Sequence, residues 1–285
     1  MALCLVTGNK GYIGSALYGR LLALDHDVVG IDYKEDSSWD ILNGLERIEK
    51  YDFDYIFHLA CIPRVAYSVE QPIHTMMNNV LSTSIVLDFA KRKNVKRVIY
   101  SGSSSVVGNG DGPASPYALQ KLTSELETKL YSELYGIDTV TLRYFNVYCA
   151  GQKADSPYAT AVANWMRFIR EDKSPFITGD GEQRRDMAHR SDVVAANVFA
   201  MEYEGKFGGQ HYDVGTGENI SLNEMKEIVS GHFPDVHFDY IEERKGDVLL
   251  TKADMSPLKA LGWEPKVSIK DGISQCFENL SRNLK

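Results

Sequence analysis

The stretch Leu3-Cys4-Leu5-Val6-Thr7-Gly8-Asn9-Lys10-Gly11-Tyr12-Ile13-Gly14 decides the fold. A short apolar run suited to a buried strand passes directly into three glycines, and the residues from Ser15 to Leu24 then follow a helical pattern. Strand, glycine turn and helix in that order open a βαβ unit that holds a dinucleotide. Glycine at 8 permits the tight turn. Glycine at 11 lets backbone N–H groups approach a pyrophosphate at the helix N-terminus, and glycine at 14 lets the helix lie close to the strand. A second apolar run, Val28 to Asp32, ends in an acid eighteen residues beyond Gly14. A carboxylate there accepts hydrogen bonds from an adenosine ribose and repels a 2′-phosphate, which favours NAD over NADP; Lys34 nearby weighs the other way.

Working outward, apolar runs and helical patterns alternate through Tyr55 to Ala60, an amphipathic stretch over 78–93, and Val98 to Ser101, which implies a parallel sheet. Residues 116–135 form the clearest helix: Ser115 is placed to cap it, Pro116 fits its first position, and Leu122, Leu126, Leu130 and Leu134 recur every fourth residue. A strand from Thr139 to Arg143 follows. Beyond residue 150 the elements shorten and turn signals multiply: the Gly179-Asp180-Gly181 turn, a Ser221-x-x-Glu224 capping box and a Ser256-Pro257 helix start. The expected architecture is α/β, a Rossmann-type doubly wound parallel sheet over 1–150 with a smaller α+β lobe over 151–285.

The 285 residues are 44% apolar and 25% charged, an ordinary globular composition. A net charge of −8 argues against nucleic acid or an anionic membrane as partner, since both are polyanions. Cys4, Cys61, Cys149 and Cys276 lie far apart, with no metal-ligand spacing, and read as reduced cytoplasmic thiols. No basic segment followed by a long apolar one is present, so neither a signal peptide nor a membrane span is expected.

Tyr117 and Lys121 are four apart on the strongest helix and share one face. A lysine ammonium beside a phenol, together with the positive nicotinamide of NAD, would lower the tyrosine pKa and let it act as a base near neutrality. Alone, such a pair usually decorates a solvated helix. Ser101-Gly102-Ser103-Ser104-Ser105 changes the weighing, because it follows the strand Arg97 to Tyr100 at the carboxyl end of a parallel sheet, where open α/β folds place their sites.

With these residues in view, the chain resembles the extended short-chain dehydrogenase/reductase family, and within it the NAD-dependent nucleotide-sugar epimerases of the UDP-hexose 4-epimerase type. The matching segments are the glycine loop, His58-Leu59-Ala60, Asn78-Asn79-Val80, Ser101 to Gly108, Ser115-Pro116-Tyr117, Leu142 to Asn146, Gly179 to Asp192, Arg244-x-Gly246-Asp247 and Ala253-Asp254. The resemblance implies that Tyr117 is the base, Lys121 its tuner and ribose anchor, and Ser103 the hydroxyl partner of the reacting oxygen. It implies NAD held by Gly8, Asn9, Lys10, Gly11, Tyr12, Ile13 and Gly14, by Asp32, Asp40 and Ile41, by Leu59, Ala60, Cys61 and Asn79, and by Ser101, Tyr117, Lys121, Tyr144 and Asn146. The segment at about 186–215 is expected to return to the NAD-binding domain, leaving 151–285 mainly for substrate. Similar enzymes that dehydrate or decarboxylate their sugar carry a glutamate three residues before the position of Gly108, often beside an aspartate. Ser105 and Ser104 stand there in this chain. Dehydration lacks its acid and base, and reversible oxidation at C4 of a UDP-sugar remains.

The resemblance also assigns substrate contacts: Arg185, Arg244 and Asp247 for the diphosphate and ribose, Asn146 on the phosphate side, Ser103 and Ser104 at the sugar, with Tyr158 and Ala159 in a segment similar to that of N-acetylhexosamine epimerases. Thr251 falls where members restricted to UDP-glucose and UDP-galactose place a bulky tyrosine. A small residue leaves room for a 2-acetamido group, so UDP-GlcNAc and UDP-GalNAc lead over plain hexoses and hexuronates. The chain departs from the family in short loops after Asp32, between Gly108 and Ser115 and around 149–157, and in Asn9-Lys10, which read as surface changes. The rival readings are an NAD-dependent 4-reductase or other redox enzyme, and a non-catalytic NAD-binding regulatory protein; an intact Tyr117-Lys121 pair counts against the latter. Family resemblance implies a homodimer through the helices at about 78–93 and 116–135, and no metal.

Overall fold

The computed structural model describes residues 1–35, 37–108, 110–152, 160–243 and 249–284. Leu3–Thr7 (β1) is apolar and almost wholly buried, as a strand covered on both faces must be. It pairs in parallel with Asp27–Ile31 (β2) on one side and with Tyr55–His58 (β3) on the other, and β3 pairs in parallel with Arg97–Ser103 (β4). Asp138–Tyr144 (β5) and the strand His211–Val214 complete a six-stranded parallel sheet in the order β2-β1-β3-β4-β5 and then 211–214. The chain steps outward from β1 to β2, then crosses back to β3, so β1 and β3 flank a switch point of the kind where open sheets bind ligands at their carboxyl ends. Thr7, His58 and Tyr100 stand level there, Thr7 opposite His58 and His58 opposite Tyr100.

Helices packed with this sheet include Tyr12–Leu22 (α1), Val65–Glu70 (α2), Pro72–Met76 (α3), Ser82–Arg92 (α4) and Pro116–Tyr135 (α5), with Arg190–Glu202 later in the chain. The helix expected over 78–93 starts earlier, at Pro72, and is interrupted by a π turn over Met77–Leu81 that carries Asn79 inward. Helix α5 begins as its sequence indicates: the Ser115 side chain accepts the Ala118 N–H, and Gly136 closes the helix in the left-handed region at φ 72°.

The face that α5 buries differs from the one its leucines suggest. Tyr117, Ala118, Gln120, Lys121, Ser124, Glu125 and Thr128 point inward. Leu126, Leu130 and Leu134 are 57%, 47% and 63% exposed, with Leu119 beside them and Ile73, Met77 and Leu81 also exposed on the preceding helices. A polar buried stripe is stable only when its groups are hydrogen-bonded, and here they are: Gln120 donates to Thr75 Oγ1 at 3.0 Å, Ser124 to the Asn79 carbonyl at 2.9 Å, and Thr128 to the Ser124 carbonyl at 2.7 Å.

The first unit comprises Met1–Arg143 and Val193–Tyr212. Arg97 shows why the later segment belongs with the sheet. Its buried guanidinium pairs with Asp138 at 2.6 Å and donates to the carbonyls of Ala200, Tyr203 and Gly205, while Asp138 accepts the N–H groups of Phe207 and Gly208. One buried ion pair thus satisfies the backbone of a returning segment about a hundred residues away in sequence.

The second unit comprises Tyr144–Asp192 and Asp213 onward. Its helices Ala161–Arg170, Leu222–His232 and Ile269–Leu284 bury Trp165, Met166, Met225, Val229, Ile273 and Phe277 around Ile177. Phe176–Thr178 pairs in parallel with Asp239–Ile241, and Arg184–Arg185 antiparallel with Ile220–Ser221. The Ser221-Glu224 capping box is formed. No helix among the described residues is long and apolar enough to cross a membrane.

Candidate active site

At the carboxyl end of β1 the chain turns through Gly8 at φ 73°, where an added Cβ would sit 2.9 Å from the Ala60 nitrogen. A Cβ on Gly14 would overlap the Gly8 carbonyl oxygen. The Gly11 N–H donates to that same oxygen at 2.9 Å, and Gly11 caps α1 with no side chain. The first turn of a helix left without a side-chain cap is an anion site. Asp32, nearly buried at the end of β2, accepts the Lys10 N–H on one carboxylate oxygen and the Lys34 N–H on the other, both at 3.0 Å. The acid therefore shapes the glycine loop from outside. This cradle of bare backbone, which single methyl groups would fill, fits a dinucleotide pyrophosphate.

Asn9 is a correction to the surface reading. It is buried, with its side chain lying against Gly30 of β2. Asp40 accepts the Leu42 N–H at 3.0 Å and stays half-buried, whereas Ile41 points into the core of the first unit. Leu59 and Ala60, expected at the cofactor, both donate their N–H groups to Thr7 Oγ1 at 3.1 Å. Asn79 accepts the Ile62 N–H at 2.7 Å and donates to Gln120 Oε1 at 2.9 Å.

The reactive groups meet where β4 ends. Ser103 Oγ lies 2.8 Å from Ser105 Oγ and accepts the Ser105 N–H at 3.3 Å, opening the short turn Ser104–Val107. Tyr117 sits in the first turn of α5; Ser103 is among the neighbours that lower its phenol pKa, and its backbone N–H donates to Ser68 Oγ at 3.0 Å. Lys121, one turn on, donates Nζ to the Ser101 carbonyl at 2.7 Å and stands 4.9 Å over the Tyr100 ring. Burial opposes the lysine charge, yet Cys61, Tyr100 and Tyr117 around it outweigh burial and raise its pKa above the ordinary value. The charged form of Lys121 is therefore favoured.

Lys121 acts on the tyrosine in the expected direction, but burial opposes it. Burial pushes the Tyr117 phenol up to about 12, and the Lys121 charge and Ser103 pull in the opposite direction without overcoming it. The protein alone holds this phenol protonated at neutrality.

In the second unit, Tyr144 is buried at the end of β5, the Phe145 N–H donates to the Val214 carbonyl at 3.1 Å, and Asn146 adopts φ 35°. Asn146 Nδ2 donates to the Asp186 carbonyl at 2.7 Å. Asp186 is fully buried and its carboxylate accepts four donors: Thr216 N–H and O–H at 2.8 Å, Gly217 N–H at 2.9 Å and Ala253 N–H at 3.0 Å. Its own N–H is bonded to the Thr251 carbonyl at 3.0 Å. Asn146 and Thr251 are therefore held by the backbone of Asp186, the residue after Arg185. Tyr158, Ala159, Arg244 and Asp247 lie outside the described residues.

Sequence reasoning did not single out Ser68, Gln120 or Asp186. The period-four recurrence of Gln120, Ser124 and Thr128 beside the leucines was a readable sign of a second buried stripe; a lone serine at 68 carries no such sign.

Comparison with known proteins follows the same lines. Residues 4–215 match the NAD dependent epimerase/dehydratase family. The UDP-glucose 4-epimerase of Mycolicibacterium smegmatis is 32% identical, over 96% of this chain and 97% of its own. Among solved structures, the UDP-N-acetylglucosamine 4-epimerase of Methanobrevibacter ruminantium, in complex with UDP-N-acetylmuramic acid, is 31% identical over 97% of each chain with a TM-score of 0.88. The UDP-glucuronic acid 4-epimerase of Bacillus cereus, in complex with UDP-glucuronic acid and NAD, is 28% identical over 99% of this chain and 100% of its own, with a TM-score of 0.83.

Proposed function

Because this chain belongs to the NAD-dependent epimerase/dehydratase family and takes NAD as its cofactor, we propose that it is a UDP-sugar 4-epimerase acting through a transient 4-keto sugar. The observation that carries this reading is the Tyr117, Ser103 and Lys121 set with only hydroxyls, Ser104 and Ser105, where dehydration requires carboxylates.

NAD, when bound, supplies reversible two-electron oxidation at C4 and a positive charge near the phenol. Ser103 holds O4 by hydrogen bonding. Tyr117 accepts the O4 proton as the sugar is oxidised and returns it after the keto sugar has turned its other face. Lys121, in its charged form, favours the phenolate that burial alone disfavours. Asp32 and the glycine loop hold the adenosine and pyrophosphate, with the backbone at Leu59 and Ala60 beside Gly8.

Asn146 and Arg185, with Arg244 and Asp247, are assigned the nucleotide diphosphate. An arginine fork suits it because it bonds two phosphate oxygens at once. Thr251, small and held by the Asp186 N–H, supports UDP-GlcNAc and UDP-GalNAc as the substrate pair. The exposed leucine ridge of α5, with Ile73, Met77 and Leu81, supports a homodimer built on these helices. Cys4, Cys61, Cys149 and Cys276, which form no disulfide among the described residues, suit the cytoplasm.

The test is incubation of the purified protein with UDP-GlcNAc, UDP-glucose and UDP-glucuronate without added cofactor, with products identified by NMR. Interconversion of UDP-GlcNAc and UDP-GalNAc is expected. Release of a keto or reduced sugar, or a stoichiometric demand for added NAD or NADH, would overturn the reading.

A further inference from the structure

His58 ends β3 in the middle of the sheet, almost wholly buried, with both ring nitrogens engaged. Nδ1 lies 2.8 Å from Thr7 Oγ1 and Nε2 lies 3.1 Å from Thr83 Oγ1. The direction of both bonds follows from counting protons. Thr7 Oγ1 already accepts two N–H groups, from Leu59 and Ala60, which occupy both its lone pairs. Its single proton goes to His58 Nδ1. The ring proton is therefore on Nε2 and is donated to Thr83 Oγ1, whose own proton goes to the Asn79 carbonyl at 2.8 Å.

We infer that His58 is a positioning residue, a neutral imidazole held in the Nε2–H tautomer, which ties the cofactor loop to the catalytic helix. One end of the relay is Thr7, the residue before Gly8, with the Leu59-Ala60 backbone packed at that glycine. The other end is the π turn. There the Asn79 carbonyl takes the hydroxyl of Ser124 as well as that of Thr83, and the Asn79 side chain takes Gln120. Gln120 and Ser124 flank Lys121 on α5. A π turn within an α-helix is costly and is often retained for the placement of one side chain; here it delivers Asn79 to both ends of that contact. A satisfied core histidine needs two partners of any kind. This one needs an acceptor edge and a donor edge, because the hydroxyls on its two sides run in one direction.

The charged and titratable groups facing the ring are Lys121 from α5 and Tyr100 from β4, the latter with ring centroids 5.8 Å apart. A lysine cation and an aromatic ring, the one standing over the other, both suit an imidazole that stays neutral. Burial and Lys121 lower its pKa to about 3.

The inference rests on the reading of Tyr117 and Lys121 as the reactive pair, and the experiment separates the two. Nitrogen-15 NMR of the NAD-loaded protein should show His58 as the Nε2–H tautomer with no titration between about pH 5 and 8. His58→Leu should lower kcat about tenfold or more and weaken NAD retention, with KM for the UDP-sugar changed far less. His58→Gln, which offers an amide oxygen and an amide N–H, should recover most of that loss. An Nδ1–H tautomer, or an imidazolium titrating near 6.5, would overturn the inference. So would a folded His58→Leu variant with unchanged kcat and NAD retention. If that variant does not fold, the tautomer and the His58→Gln variant decide alone. Turnover persisting in Tyr117→Phe would instead remove the chemical reading and leave the tautomer result standing.

Discussion

Ser68 Oγ accepts the backbone N–H of Tyr117 at 3.0 Å, so the first turn of the catalytic helix is capped from two sides, by its own Ser115 and by a serine on a helix about fifty residues earlier. Ser68 itself donates to the Val65 carbonyl, which leaves its lone pairs for Tyr117. Ser68→Ala would leave a buried N–H without an acceptor, at a cost of about 1–3 kcal/mol. The expected outcome is an unfolding free energy from denaturant titration lowered by that amount and a several-fold lower kcat, because the tyrosine carried by that turn loses its anchor. Unchanged stability and kcat would show that the bond does no positioning.

Lys121→Met tests the electrostatic argument. Lys121 lowers the pKa of Tyr117 while burial raises it. Removing the cation must raise the phenol pKa further, so the rising limb of the kcat profile should move to higher pH. The parent profile and that of Lys121→Met, measured on NAD-loaded protein, check this. A shift to lower pH, or none, would contradict the assigned role.

Asp32→Ala should weaken NAD binding by about tenfold to a hundredfold, roughly 1.4–2.8 kcal/mol. The carboxylate is both the ribose acceptor of the proposal and the observed acceptor for the Lys10 and Lys34 N–H groups. Discrimination against NADP should fall at the same time, since the charge that repels a 2′-phosphate is gone. Titration calorimetry with both cofactors reads the two effects separately.

The leucine ridge makes a prediction about assembly. Leu126 and Leu130 are exposed on α5 while its polar stripe is buried. Replacing both with glutamate should convert a dimer into a monomer, because burying unpaired carboxylates costs far more than burying leucine. Size-exclusion chromatography with light scattering checks it, and a monomeric parent would refute the dimer outright.

What the sequence made legible was what local geometry demands. Three glycines after a strand, an acid ending the next strand, and Ser115-Pro116 before a helix each impose a backbone constraint that few other residues satisfy, and the turn, the strand end and the capped helix start are all formed. The inward face of α5 was not legible in the same way. Leu122, Leu126, Leu130 and Leu134 have the period of a core stripe, as do Gln120, Ser124 and Thr128, and the long-range partners at Thr75 and Asn79 decide that the polar set is the buried one. Asp186 carries no local sign of its burial, yet it is fully buried with four donors from segments 216–217 and 253. The burial that raises the Tyr117 pKa was not legible either: helix spacing reports the lysine one turn away, which lowers it, but not the desolvation that opposes the lysine.

The measurement that bears most directly on the account is the fate of the hydrogen at C4. A hydrogen that leaves C4 with its electron pair and returns to the same carbon never exchanges with water, whereas one abstracted as a proton by a side chain does. With UDP-GlcNAc labelled with deuterium at C4 and no added cofactor, the account predicts UDP-GalNAc that keeps the deuterium at C4, and no solvent deuterium at C4 or C5 when unlabelled substrate turns over in heavy water. Loss of the label to solvent, or a dehydrated or reduced sugar as the product, would contradict it.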